Sequence, residues 1–312
     1  MEYQILTDAT ADMSEEMLEG YPKLEIIPMQ VEVGGEQFLF GPGGNLTVKQ
    51  FYEMQRSGKF ASTSQINPQT YYDHFEPVLK NGQDIFYLCF TSGLSGTYNT
   101  ANMVIADLKE KYPERKIICV DTLCASVGEG FIVREALRMQ KEGMSMEKLQ
   151  KWTEEHKLQV CHWFTVDMLD HLRHGGRISA ASAAIGTVLN IKPLLHVAED
   201  GTLKVMDKPR GRKKAFKLQM SKMEQGWLPE LGKLVVIGHG DSMETALELK
   251  ETVLSKYPDS EVRIADIGPV IGAHTGGNAG ADFLGNDQMR LHIRKEIRAC
   301  TGCAQRDIPK GL

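Results

Sequence analysis

Phe90-Thr91-Ser92-Gly93-Leu94-Ser95-Gly96-Thr97-Tyr98 decides how this chain is read. Before it runs Asp84-Ile85-Phe86-Tyr87-Leu88-Cys89, an apolar run of strand length, and after it residues 99–108 carry apolar side chains at helical spacing. A strand, a turn rich in glycine and hydroxyls, and a helix start turn backbone N–H groups and a positive dipole end toward one point. Such a point suits an anion. The turn has no lysine and lacks the P-loop glycine spacing, so a nucleotide phosphate fits poorly. Its hydroxyls and glycines, with no fixed cation, suit a small singly charged oxyanion such as a carboxylate. The same residues are equally consistent with a closed turn and a helix cap that bind nothing.

Working outward, Ser62-Thr63-Ser64 places three hydroxyls just ahead of a predicted helix with Asn67 as cap and Pro68 as first residue. Read as a helix lead-in alone, they need no ligand. Tyr3-Gln4-Ile5-Leu6, residues 24–28 and residues 116–121 read as further strands, and Thr47-Val48-Lys49-Gln50 reads as a capping box. Gly128 and Gly130 precede another predicted helix that runs to Gln140. Strands alternating with helices at this spacing predict a mostly parallel sheet with helices on both faces. In such sheets ligands gather at the carboxyl ends of the strands, where these polar turns lie.

The pattern changes near residues 159–166, which sets expected units of 1–160 and 161–285 and an extension of 286–312. In the second unit, residues 194–197 and 202–206 read as a hairpin turned by Glu199-Asp200-Gly201, and residues 234–237 and 261–266 as further strands. The expected fold class is therefore α/β with two domains, the second built on a mixed sheet. In the small-residue stretch 180–186, Ala180 to Ala184 is most simply a tightly packed helix, and it equally leaves room for a slim chain beside it.

With 312 residues the chain can bury two cores, and its net charge of −5 argues against general nucleic-acid binding. No apolar run approaches the ~20 residues of a membrane span. Met1-Glu2-Tyr3-Gln4 lacks the basic start of a signal peptide, so a cytoplasmic protein is expected. Six scattered cysteines then read as buried hydrophobes, and Cys300-Thr301-Gly302-Cys303, alone, is too little for a metal site. No cofactor or metal is expected, and a monomer is the default.

The chain resembles the DegV family of bacterial fatty-acid-binding proteins. The residues that carry the resemblance include Thr7-Asp8-Ala9-Thr10-Ala11-Asp12, Ser62-Thr63-Ser64-Gln65, the turn 92–98, Gly175-Gly176-Arg177-Ile178, Ile191-Lys192-Pro193, Arg210-Gly211-Arg212-Lys213-Lys214-Ala215 and Gly268-Pro269-Val270-Ile271-Gly272-Ala273-His274. They follow the family's order as far as about residue 285. The resemblance implies a non-catalytic protein enclosing one long-chain fatty acid, its carboxylate held by hydroxyls between two domains and its tail in an apolar tunnel. It also implies presentation of the acid to a fatty acid kinase for acyl-phosphate formation.

Carried over by motif, Thr63 and Ser95 would bond the carboxylate, and Ser62 and His274 would support them. Ser64, Ser92, Gly96 and Thr97 complete the expected ligand-binding set. Arg173, Arg177, Arg210 or Arg212 would serve docking or phosphoryl transfer. Ala9 stands where the family commonly has serine, and Gly276-Gly277-Asn278 replaces its common glycine-proline-glycine.

The chemistry agrees with a lipid. A buried carboxylate needs charge-assisted hydrogen bonds of roughly 1.5–3 kcal/mol each, and a tail contributes ~0.8 kcal/mol per buried methylene. Between residues 204 and 217 stand Lys204, Lys208, Arg210, Arg212, Lys213, Lys214 and Lys217 against the single acid Asp207. Such a run is a solvated face, or a surface that steers an acidic partner or touches anionic lipid transiently during loading. The alternative is an esterase-type serine hydrolase. Gly93-Leu94-Ser95-Gly96-Thr97 misses the nucleophile elbow by one residue, and Ser95, Asp241 and His274 follow the order of an α/β-hydrolase triad.

Overall fold

The computed structural model describes residues 3–179, 190–228 and 232–276. Strands β1 (Tyr3–Asp8), β2 (Glu25–Ile27), β6 (Asp84–Cys89) and β7 (Ile117–Asp121) form a parallel sheet in the order β2-β1-β6-β7. All six residues of β6 are buried, as expected of a parallel strand covered on both faces. Alternation divides them between two cores. Ile85, Tyr87 and Cys89 pack with Tyr71, Phe75 and Leu108 from helices Pro68–Lys80 and Thr97–Lys111, whereas Phe86 and Leu88 face Val133, Leu137 and Leu149 from helices Val127–Lys141 and Met146–His156.

A second sheet, β4-β3-β5, is antiparallel and consists of β3 (Met29–Val33), β4 (Glu36–Phe40) and β5 (Ala61–Thr63). Residues read as a helix lead-in thus form an edge strand, because Ala61 and Thr63 pair with Val33 and Val31. The cap beyond them is as expected: the Asn67 side chain accepts from the Thr70 amide and Pro68 opens the helix. Thr47 and Gln50 also complete their capping box. Gly128 and Gly130, expected ahead of a helix, stand inside its first turn. A Cβ at Gly128 would lie 1.8 Å from the His162 ring, and one at Gly130 would lie 2.4 Å from the Ala11 carbonyl. These glycines admit close packing; they do not break the helix.

The second half holds an antiparallel ladder, β10-β9-β8, of β8 (Trp163–Thr165), β9 (Leu194–Val197) and β10 (Leu203–Asp207), with the expected hairpin between the last two. Beside it, β11 (Leu234–His239) and β12 (Glu261–Asp266) pair in parallel across helix Met243–Lys256. The architecture is α/β with parallel and antiparallel sheets, as the alternation of elements requires.

The chain then returns to its first half. Helix Pro269–Thr275 places Val270 and Ala273 in the core of β3 and β6. Tyr52 Oη donates to the Ile267 carbonyl at 2.9 Å, Gln55 Nε2 to that of Gly272 at 3.0 Å, and the Gly268 amide to Asp12 Oδ1 at 2.8 Å. The expected second unit, 161–285, therefore contains a helix packed on the first. Residues 180–186, Gly277, Asn278 and the expected extension 286–312 with Cys300 and Cys303 lie outside the described residues.

Candidate ligand site

The turn 92–97 sits at the carboxyl end of β6 and packs against the hairpin turn of the second half. A Cβ at Gly93 would lie 2.5 Å from the Asp200 carbonyl oxygen, and Thr91 Oγ1 donates to the Gly201 carbonyl at 3.1 Å. Beneath this contact is a cavity of about 850 Å³, including its open mouth. Side chains from both halves line it. Its wall is mostly apolar, with Met29, Phe90, Val127 and Val270 from the elements around the first sheets and Phe164 and Val197 from the second half. Thr63, Ser64, Gln65, Ser95, Arg177 and His274 supply most of the polar lining.

The hydroxyls of Thr63 and Ser95 are each backed by other groups. Thr63 Oγ1 lies 2.8 Å from His274 Nε2. Burial, with Arg177 and His171 alongside, lowers the His274 pKa to about 4, so the ring is neutral at pH 7 and carries one N–H. If that hydrogen is on Nε2, it is donated to Thr63, and the Thr63 hydroxyl hydrogen is left for an anion. Ser95 Oγ lies 2.8 Å from Thr97 Oγ1 and accepts from the Thr97 amide at 3.2 Å. Thr97, fully buried, can donate twice to Ser95 and free the serine hydrogen in the same way. Two hydroxyls with spare donors can together hold a carboxylate.

Arg177 adds a cation that the turn itself lacks. Its Nε donates to the Leu94 carbonyl at 3.1 Å, which fastens it to the turn, and burial lowers its pKa without discharging it. Two glycines make room for neighbouring polar side chains. A Cβ at Gly96 would lie 2.2 Å from Gln65 Oε1, and one at Gly175 would lie 2.1 Å from His274 Nδ1.

Other sequence candidates lie elsewhere. Ser62 is exposed, because strand alternation turns it to the face of β5 opposite Thr63. Ser92 is exposed and its amide donates to Asp121 Oδ1 at 3.1 Å. Arg173 is exposed and pairs with Asp170 at 3.4 Å, Arg210 is exposed beside the bridge to Ile191, and Arg212 donates to Thr245 Oγ1 at 2.9 Å. None of these lines the cavity. The hydrolase triad is not assembled: His274 Nε2 is engaged by Thr63, Ser95 by Thr97, and Asp241 pairs with Arg56.

Sequence reading missed Gln65, Thr10, Ser126 and His162 as cavity-lining residues. The available signal was Gly96 and Gly128, each small because one of these side chains occupies its Cβ space.

Fold and cavity together define an α/β protein with a largely apolar cavity that has a polar end lined by hydroxyls. The family model described as "Uncharacterised protein, DegV family" matches residues 2–284, and the chain belongs to the DegV family. A DegV domain-containing protein of Clostridium perfringens is 39% identical over 285 residues, covering 91% of this chain and 98% of that one. Among solved structures, a DegV family protein from Thermus thermophilus described for its fatty acid binding has a TM-score of 0.80 at 26% identity, covering 92% of this chain and 100% of that one. A stearic-acid-binding protein from Eubacterium ventriosum has a TM-score of 0.78 at 28% identity, covering 90% and 98% respectively.

Proposed function

We propose that the protein is a non-catalytic cytoplasmic carrier that holds one long-chain fatty acid. Thr63 and Ser95 bond its carboxylate, His274, Thr97 and Arg177 support them, and the apolar chamber takes the tail. The carrying observation is the single cavity that combines two donor-backed hydroxyls with an extended apolar wall. At ~0.8 kcal/mol per buried methylene, a chain of more than about ten carbons offsets the entropy of association. The fatty-acid-binding relatives from Thermus thermophilus and Eubacterium ventriosum support the same ligand class.

A fatty acid kinase is the partner that receives the bound acid. Support comes from the exposed cations Lys204, Lys208, Arg210, Arg212, Lys213, Lys214 and Lys217, which follow the cavity residue Leu203 in an otherwise acidic chain. Such a patch steers an acidic surface, whether protein or membrane. Solvent extraction of the purified protein followed by mass spectrometry tests the carrier. Near-stoichiometric fatty acid is expected, and a clean extract with no thermal shift on adding palmitate or oleate overturns it. Stoichiometric labelling of Ser95 by a fluorophosphonate would favour the hydrolase instead.

A further inference from the structure

Behind the cavity lies a sealed polar cluster that lipid binding does not use directly. Asp8 at the end of β1 and Glu129 in the first turn of helix Val127–Lys141 have no exposed surface. Two hydroxyls stand between acceptors. Thr7 Oγ1 is 3.0 Å from the Leu88 carbonyl and 3.1 Å from Glu129 Oε1. Thr10 Oγ1 bonds Asp8 Oδ1 and is 2.8 Å from Glu129 Oε2.

Proton counting separates the two acids. Each hydroxyl has one hydrogen and faces two acceptors, so four contacts share two hydrogens. Asp8 is well supplied, since it also accepts from the Thr10 amide at 3.1 Å, Tyr87 Oη at 3.0 Å and the Phe90 amide at 3.4 Å. Glu129 faces only the two hydroxyls among the described residues. An ionised Glu129 would leave acceptors unmatched in a buried site, which is unfavourable.

We propose that Glu129 is protonated at neutral pH and donates through Thr10 to an ionised Asp8, and that this proton makes Glu129 a positioning residue for the cavity. Thr10 lines the chamber. Asp8 holds the amide of Phe90, another lining residue, at the entry to the turn. Tyr87 also gives its one hydroxyl hydrogen to Asp8, at 3.0 Å. The proton thus fixes the wall of the polar end at Thr10 and Phe90.

The groups facing Glu129 favour this state. Asp8 and Asp12 approach from β1 and the turn after it, and their charge adds to burial in raising the Glu129 pKa well above the carboxylate range. Tyr87 and Tyr71 face Asp8 from β6 and helix Pro68–Lys80. Among the described residues no basic side chain bonds either carboxyl. The positive end of helix Val127–Lys141 opposes protonation, but among the described residues it gives the Glu129 carboxyl no hydrogen-bond donor beyond the two hydroxyls.

The test is carboxyl NMR of the full chain labelled with ¹³C at glutamate side chains. One resonance should stay in the protonated position at neutral pH and vanish in Glu129→Gln. The proposal is overturned if every glutamate titrates in the ordinary range, or if the untitrated signal survives that substitution. Thermal unfolding from about pH 5 to about pH 9 gives a second reading. Glu129→Gln should gain on the wild type as pH rises, because above about pH 4.3 the unfolded wild type has lost a proton that folding must take up again, whereas parallel curves refute the assignment.

The positioning role rests on the carrier reading, and palmitate retention separates the two. Wild type should release palmitate faster once the resonance shifts, and Glu129→Gln should not. A shifting resonance with unchanged retention defeats the positioning role. A protein that never binds palmitate defeats the carrier.

Discussion

The polar end of the cavity and the sealed cluster behind it use the same residue types with opposite proton supply. At the cavity, Thr63 and Ser95 each lie beside a group able to donate to them, His274 Nε2 in one case and Thr97 in the other. With the His274 hydrogen on Nε2, each keeps a hydrogen for an incoming anion. In the cluster, Thr7 and Thr10 each face two acceptors, and the carboxyls already occupy the space. A threonine near a buried acid therefore says little until its neighbours are counted. Donor surplus leaves a hydrogen for an added acceptor, and donor deficit leaves room for an added proton.

The contrast can be broken experimentally. The largest effect is expected from Thr63→Ala with Ser95→Ala, which removes both spare donors. At about 1.5–3 kcal/mol per charge-assisted bond, each loss weakens fatty-acid retention by about tenfold to a hundredfold, measured by competition with a fluorescent acid. The melting temperature should hardly change; unchanged lipid content would place the carboxylate elsewhere. Asp8→Ala should act on stability instead, because it strands the Thr10 and Phe90 amides and the Tyr87 hydroxyl in a buried site. Destabilisation of about 3 kcal/mol or more in denaturant titration is expected, and a loss under about 1 kcal/mol would mean that water replaces the carboxylate.

The two regions should also fail at opposite ends of the pH scale. His274 is lowered to about 4 in the folded chain. The unfolded chain then binds a proton that the folded one refuses, so stability present above about pH 6.5 is lost as pH falls through about 4, by at most about 3 kcal/mol. His274→Gln should flatten that acid limb in pH-dependent melting, and an unchanged limb would show that His274 is not its source. Asp12 has the opposite sign. Burial raises its pKa to about 7, so its contribution is full below about pH 4 and is lost as pH rises through about 7. Asp12→Asn should remove that decline. The smallest effect belongs to Ser62→Ala. With its side chain on the exposed face of β5, lipid retention should stay within about twofold, and a tenfold loss would contradict the strand register.

Much of the fold was legible because parallel strands buried on both faces read as continuous apolar runs. Residues 84–89 followed by a glycine-hydroxyl turn announced β6 and its helix, and Asn67-Pro68 announced the next cap. Ala61–Thr63 was not legible as a strand. Three residues are too few for periodicity, and their pairing with β3 is set by a partner about thirty positions away. The candidate site was legible in its hydroxyls and in His274, but not in its limits. Ser62 and Thr63 are adjacent in sequence and opposite in space, and Arg177 reaches the turn only because the second half folds over it.

The sequence by itself determined the α/β alternation, the caps and the glycine-hydroxyl character of the turn after β6, since these depend on residues within a few positions of one another. Tertiary structure alone decided which hydroxyls have hydrogens to spare. That depends on Thr63 meeting His274 across 211 positions and on Glu129 meeting Thr10 across 119, and a proton is held or offered according to everything around it.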